Sequence, residues 1–210
     1  MGFIKARYLL PLVLALHVGG LLADVSVGKQ IFQHCKNCHG VSGWGGKEGK
    51  YPRIAGLPQF YIEKQLTDFK QRKRINKPMV PVFKNWRFNQ DAIASVAAYV
   101  TQLPTAELNV PAYEPDPETL AQFDSREEME EVGEDIFQDC IQCHGEKAAG
   151  KEDKETPPLV KQYPNYLRKQ LGDFASGRRT HENSDSLFAE LEADEVEALL
   201  AYISKLVTEE

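Results

Sequence analysis

The chain contains an internal repeat, which constrains its fold more than any other feature. Residues 27–40, VGKQIFQHCKNCHG, return as residues 132–145, VGEDIFQDCIQCHG, 105 positions later. Two later segments return in the same order, residues 52–69 as 158–174 and residues 91–103 as 194–206. Matches in one order at nearly constant spacing indicate a duplicated unit. We therefore expect two similar domains in tandem.

A proline-rich stretch separates the two copies. Its prolines are Pro104, Pro111, Pro115 and Pro117. Proline lacks a backbone donor and has a fixed φ, so this stretch cannot continue a helix and is typical of a stiff linker. The sequence predicts an N-terminal domain at residues 24–103, a linker at 104–120 and a C-terminal domain at 121–210.

The first 23 residues have the pattern of a secretory signal peptide. Lys5 and Arg7 precede an apolar run over residues 8–22, and Ala23 is a small residue at a plausible cleavage position. The run is shorter than the roughly 20 residues that a transmembrane helix needs, although an uncleaved N-terminal anchor remains the alternative. We expect residues 1–23 to be removed and the rest of the chain to be exported.

Each copy has the hydrophobic periodicity of α-helices. In the last segment of each copy, apolar residues share one helical face, at Ile93, Val96, Ala97, Val100 and Leu103 and at Val196, Leu199, Leu200, Ile203 and Leu206. No sustained alternation of period two indicates strands, so the predicted fold is all-α. A domain of about 90 residues buries too little surface by itself, and each domain therefore needs a further component to complete its core.

The cysteines indicate what that component is. All four lie in two Cys-x-x-Cys-His motifs, formed by Cys35, Cys38 and His39 and by Cys140, Cys143 and His144. In this motif the two thiols form thioethers with haem, and the adjoining imidazole binds the iron. A zinc site built from both copies and a redox-active dithiol remain alternatives. The first lacks the usual finger spacing, and the second lacks the βαβ context that it requires.

On these motifs the chain resembles the tandem diheme c-type cytochromes of the cytochrome c4 type, over nearly all of residues 24–210. The residues that resemble the helix crossing of class I cytochromes c are Gly28, Phe32 and Tyr99 in the first copy and Gly133, Phe137 and Tyr202 in the second. The resemblance implies an all-α fold of two tandem class I cytochrome c domains, each around a covalently bound haem c. It also implies that the carbonyls of Pro52 and Pro158 accept hydrogen bonds from His39 and His144.

The resemblance further implies a methionine as the sixth iron ligand. Met79 stands at the expected place in the first copy. Met129 precedes Cys140 by 11 residues on what should be one helix, which places it about 16 Å away along the axis. Of the four histidines after residue 23, His39 and His144 belong to the haem motifs and His34 lies beside Cys35, which leaves His181. We therefore predict His39/Met79 coordination in the first domain and His144/His181 in the second, with an exposed loop histidine as the alternative for His181.

Basic residues next to these ligands have a further implied role. Arg74, Arg178 and Arg179 would pair with the haem propionates, as in similar proteins. A solvated basic loop is the alternative.

Charge is distributed unequally between the copies. Residues 24–103 carry 13 Lys+Arg and 5 Asp+Glu, a formal charge of +8, whereas residues 104–210 carry 10 and 26, a charge of −16. The N-terminal domain should dock on an acidic partner and the C-terminal domain on a basic one. Solvated acidic helix faces are the alternative explanation. The overall charge of −6 argues against a general nucleic-acid-binding protein.

The predicted function is a periplasmic electron carrier between a dehydrogenase or quinol-oxidising complex and a terminal oxidase or reductase. Such a carrier has no substrate of its own and would associate only peripherally with membrane complexes. A thioether ligand raises the potential of haem iron and a second imidazole lowers it. We therefore expect an electron to enter at the C-terminal haem and to leave from the N-terminal one.

Two other functions remain open. The chain could be the haem c subunit of a periplasmic redox enzyme, similar to a flavocytochrome c sulfide dehydrogenase complex. It could also be a diheme enzyme in which His181 acts as an acid or base over an open second iron. The diheme thiosulfate dehydrogenases use a cysteine ligand, and this chain has no fifth cysteine.

Overall fold

The computed structural model describes residues 23–84, 88–181 and 185–206. Apart from Ala23, the predicted signal peptide lies outside these residues. The N-terminal domain contains α1 (Val25–Phe32), α2 (Lys36–His39), α3 (Gln59–Lys70), α4 (Val80–Phe83) and α5 (Gln90–Thr101). The stretch predicted as the linker contains α6 (Pro117–Leu120). The C-terminal domain contains α7 (Arg126–His144), α8 (Pro164–Ala175), α9 (Asp185–Glu190) and α10 (Ala193–Lys205).

The described part of the chain has no β-strand, and its only bridges are two isolated ones in corresponding loops. This confirms the predicted all-α fold. None of the helices in these ranges is long and apolar enough to cross a lipid bilayer.

The repeat is visible in the order of the helices. α3, α4 and α5 correspond to α8, α9 and α10, and α7 corresponds to α1 and α2 together. Polar caps start the first helix of each copy, since Asp24 accepts from the backbone N–H of Ser26 at 2.8 Å and Ser125 accepts from that of Glu128 at 3.1 Å. Gly40 and Gly145 end α2 and α7 with φ of 79° and 78°, a conformation that favours glycine.

A close helix crossing holds each domain together. A Cβ atom on Gly28 of α1 would lie 2.0 Å from the carbonyl oxygen of Ser95 in α5, and one on Gly133 of α7 would lie 2.1 Å from that of Ala198 in α10. Aromatic rings pack beside both crossings, with ring centres 5.4 Å apart for Phe32 and Tyr99 and 5.5 Å apart for Phe137 and Tyr202. These contacts confirm the helix crossing that the resemblance implied. Only glycine permits two helices to approach this closely.

The buried cores follow the predicted helical faces. Ile93, Val96 and Val100 of α5 are at most 2% exposed, and Leu199 and Leu200 of α10 at most 3%. Since these residues recur every three or four positions, one side of each helix is buried.

Met129 is completely buried on α7, in a cluster with Tyr113 and Leu200. It lies on the same helix as Cys140, as the sequence predicted, and its side chain packs in the core.

The linker packs against both domains. At its start, the indole N–H of Trp44 donates to the Pro104 carbonyl at 2.8 Å. Towards its end, the buried Tyr113 donates its backbone N–H to Ser204 Oγ at 2.7 Å and its hydroxyl to Glu197 at 2.6 Å. These contacts attach the linker to the folded parts of the chain on either side.

Candidate haem-binding sites

Each domain presents one buried histidine at the end of its haem-motif helix. His39 ends α2 and His144 ends α7, and both are 7% exposed. His39 Nδ1 lies 2.9 Å from the Pro52 carbonyl oxygen, and His144 Nδ1 lies 3.0 Å from that of Pro157. A carbonyl can only accept, so each Nδ1 carries the proton and Nε2 is left to bind a metal. Such a bond orients the ring and raises its basicity as a ligand.

The acceptor in the second copy corrects the sequence prediction, which named Pro158. Pro157 follows His144 by 13 residues, the same distance that separates Pro52 from His39. The offset in this region is therefore 105 residues, and Pro158 corresponds to Arg53.

The surroundings of both imidazoles favour their neutral form. Burial lowers the pKa of His39 and of His144 below the ordinary value, against the opposing effect of the proline carbonyls, and the nearby His181 adds to the lowering at His144. Neutral imidazole is the form that binds a metal.

Cys35 and Cys140 do not have the lowered pKa of a reactive dithiol. No disulfide joins any of the four cysteines. Burial, with a smaller contribution from neighbouring groups, raises the pKa of Cys35 and of Cys140 to about 11. Reactive dithiols have lowered pKa values instead. The raised pKa values disfavour redox exchange by Cys35 and Cys140.

A cavity of about 1190 Å³ lies around His39 in the N-terminal domain and extends to residues of the C-terminal domain, such as Gln162 and Tyr166. Cys35, Cys38, His39 and Met79 all line it, together with apolar side chains that include Leu57. A volume of this size exceeds that of most small-ligand pockets, which span roughly 300–1,000 Å³. Two thiols, an imidazole and a thioether around one apolar cavity fit a haem c with His and Met ligands.

The C-terminal domain brings His181 next to His144. Their ring centres are 6.2 Å apart. A metal at about 2.0–2.1 Å from one nitrogen of each ring, with about 1 Å more from nitrogen to ring centre, requires a separation of about 6 Å. Phe174 and Phe188 meet the His181 ring edge-on, at 4.9 and 4.8 Å. The pair therefore fits a single iron between two imidazoles.

The three candidate arginines lie in two different settings. Arg178 is exposed and pairs with Asp173 at 3.0 Å, at the edge of the N-terminal cavity. Arg74 is 8% exposed and lines the same cavity. Its guanidinium donates to Gln65 Oε1 at 2.6 Å, to the Tyr166 hydroxyl at 2.9 Å and to Gln170 Oε1 at 2.7 Å.

Arg179 repeats the pattern of Arg74 from the other domain. It donates to Gln170 at 2.7 Å and, across the interface, to the Tyr61 hydroxyl and Gln65 Oε1, both at 3.1 Å. Arg74 and Arg179 therefore form a network with approximate two-fold symmetry between the domains.

Sequence analysis missed the tyrosines and glutamines of this network. Their signal was the repeat itself, since Tyr61 and Gln65 return 105 residues later as Tyr166 and Gln170. In each copy the two residues are four positions apart, on one face of α3 or α8.

Known proteins share this sequence and arrangement. The family model described as Cytochrome c matches residues 25–104 and 130–207. Cytochrome c4 from Pseudomonas aeruginosa is 28% identical over 207 residues, which cover 95% of this chain and 98% of that protein. A thiosulfate dehydrogenase electron acceptor from Stutzerimonas stutzeri is 27% identical over 82% of this chain and 78% of its own length.

The fold agrees with these matches. The crystal structure of reduced recombinant cytochrome c4 from Pseudomonas stutzeri superposes with a TM-score of 0.68 at 25% identity, over 87% of this chain and 98% of that one. The chain belongs to the cytochrome c family, as a diheme electron-transfer cytochrome whose two tandem domains each bind haem c covalently, in the manner of cytochrome c4.

Proposed function

We propose that this chain is a periplasmic electron carrier with two unequal haems, ligated by His39 and Met79 in the N-terminal domain and by His144 and His181 in the C-terminal domain. An electron enters at the C-terminal haem and leaves from the N-terminal one. The observation that carries this proposal is the 6.2 Å separation of the His144 and His181 rings. In the N-terminal domain, Met79 lines the cavity that contains His39.

The protein side chains set the direction. When bound, haem supplies a reversible ferric/ferrous couple. The Met79 thioether favours the ferrous state, whereas a second imidazole from His181 favours the ferric state, and axial ligands change haem potentials over about 0.8 V. Phe174 and Phe188 hold the His181 ring by edge contacts that restrict its rotation.

The distribution of charge supports separate docking sites for donor and acceptor. The basic N-terminal domain would meet an acidic acceptor, and the acidic C-terminal half a basic donor. A relative that accepts electrons from thiosulfate dehydrogenase supports a periplasmic dehydrogenase as the donor. The signal-peptide pattern of residues 1–23 supports the periplasmic location.

Low-temperature EPR of the oxidised holoprotein tests the ligand sets. We expect one His/Met and one His/His ferric signal. His181→Ala should abolish only the His/His signal, raise the potential of the C-terminal haem and open its iron to carbon monoxide. His34→Ala, which replaces an exposed histidine beside Cys35, is the matched control and should leave both signals in place.

Two results would contradict the proposal. One is a redox titration in which the C-terminal haem has the higher potential. The other is rapid, stoichiometric carbon monoxide binding by the reduced wild-type protein, which would indicate an open iron and favour the enzyme alternative.

A further inference from the structure

One peptide group connects the domain interface to the histidine of the N-terminal haem. The carbonyl oxygen of the Pro52–Arg53 peptide accepts from His39 Nδ1 at 2.9 Å. The N–H of the same peptide donates to Gln162 Oε1, in the other domain, at 2.9 Å. Gln162 Nε2 donates back to the Arg53 carbonyl at 3.0 Å. A side chain of the C-terminal domain therefore binds the backbone segment that orients His39.

This contact is shielded from water. Arg53 is 4% exposed and Gln162 is 9% exposed. The Arg53 guanidinium adds bonds to the carbonyl oxygens of Lys161 at 2.7 Å and Val160 at 3.2 Å. Lys161 itself has a φ of 56°, which is unusual for a residue other than glycine. Such a conformation persists where surrounding contacts impose it, and hydrogen bonds in a buried setting are strong.

The contact has no counterpart in the opposite direction. At the offset of 105 residues, Arg53 corresponds to Pro158 and Gln162 corresponds to Leu57. Pro158 has no backbone N–H to donate, and Leu57 has no polar side-chain atom. The Arg74 and Arg179 network is nearly symmetric, but this contact acts only from the C-terminal domain on the N-terminal haem site.

Polarisation of the peptide gives the contact a consequence for the iron. An N–H that donates a hydrogen bond increases the electron density on the carbonyl oxygen of its own peptide. A more electron-rich Pro52 carbonyl accepts more strongly from His39 Nδ1, which makes His39 a more basic ligand. A more basic ligand stabilises ferric iron and lowers the reduction potential.

We propose that Gln162 is a positioning residue for the N-terminal haem: it holds and polarises the Pro52–Arg53 peptide and so lowers the reduction potential of the haem that His39 ligates. This inference rests on the ligand set proposed above. It makes the N-terminal potential depend on how the C-terminal domain is docked.

Reduction potentials of the two haems, resolved in the full-length holoprotein, test this inference. Gln162→Leu removes both hydrogen bonds to the Arg53 backbone at similar volume and should raise the N-terminal potential while the C-terminal one stays unchanged. The hyperfine-shifted NMR signals of the His39 ring in the ferric protein should move with it. Tyr163→Ala is the matched control, because Tyr163 packs on Gly49 at the same interface. It should leave the N-terminal potential unchanged.

A second variant covers the case in which Gln162→Leu does not fold. Gln162→Glu keeps an acceptor for the Arg53 N–H and makes it a stronger one, so the N-terminal potential should fall. An unchanged N-terminal potential in the Leu variant, or an equal rise in Tyr163→Ala, would overturn the inference. If EPR in these variants still shows His/Met ligation, the proposed function would stand despite that failure.

Discussion

The two copies share a fold but carry different side chains at a few positions near the haem sites. His39 and His144 have the same burial and the same proline acceptor. The second candidate ligand differs between the two sites. Met79 lines the cavity with His39, whereas His181 lies beside His144. Under the proposed ligand sets, the two haem sites would differ through a few side chains, although the helices of the two copies follow the same order.

Asp173 gives a pH-dependent prediction. It is 9% exposed and accepts from Lys169 Nζ and from Arg178 Nε. Burial alone raises the pKa of this carboxyl, but the bonds from the two cations outweigh it and hold the pKa below the ordinary value of 3.8. The ionised carboxylate therefore stabilises the fold above about pH 4, and this contribution is lost as pH falls through the lowered pKa.

Asp173→Asn should remove this contribution. The variant should have a lower free energy of unfolding than wild type at pH 7, and the difference should shrink as the pH falls below about 4. Denaturant unfolding followed by circular dichroism across this pH range measures it. Asp135→Asn, at an exposed position of α7, should change the free energy by less than about 0.5 kcal/mol. A pH-independent difference at position 173 would refute the assignment.

At the level of helices, each domain depends on one crossing that tolerates no side chain. α1 and α5 meet at Gly28, and α7 and α10 meet at Gly133. The atoms that a Cβ would meet there are backbone oxygens, which cannot turn away as a side chain can. The sequence indicated this crossing through its resemblance to class I cytochromes c, which the glycines and aromatic residues carry.

Gly28→Ala should force α1 away from α5. We expect the free energy of unfolding to fall by about 1–3 kcal/mol or more, as in other overpacked cores. The midpoint of denaturant unfolding should decrease with an unchanged m-value. Gln30→Ala lies on the exposed side of the same helix and controls for helix propensity. A loss below about 1 kcal/mol at Gly28 would mean that the helices can separate at little cost.

For the whole molecule, the separation of charge predicts how small redox reagents react. The chain as a whole is negative, yet residues 24–103 carry +8 and residues 104–210 carry −16. Local fields act within about a Debye length, which is about 8 Å at physiological ionic strength. A reagent close to one domain should therefore respond to that domain's charge and not to the total.

Stopped-flow oxidation of the reduced protein by ferricyanide checks this prediction. The anion should react first at the N-terminal haem, with a rate constant that falls as ionic strength rises. A cationic oxidant such as a cobalt(III) ammine complex is the control and should prefer the C-terminal haem. A ferricyanide rate that rises with salt would instead indicate control by the total negative charge.

Local sequence patterns were sufficient to predict much of this molecule. The helical faces follow from apolar residues three and four positions apart, and the family follows from two motifs whose members are adjacent in the chain. The repeat was less informative in the loop that follows each haem motif, where a shift of one residue changes how the two copies align. The acceptor for His144 is Pro157 and not Pro158, because the loop between them keeps the 13-residue spacing of the first copy.

The sequence by itself determined the duplication, the all-α domains and the covalent attachment of two haems, since each depends on spacing within a short segment. Tertiary structure decided which groups meet between the domains. Gln162 contacts the backbone of Arg53 across 109 residues, and Arg74 contacts Gln170 across 96. Such contacts depend on how two folded surfaces pack, and no local period or spacing encodes that packing.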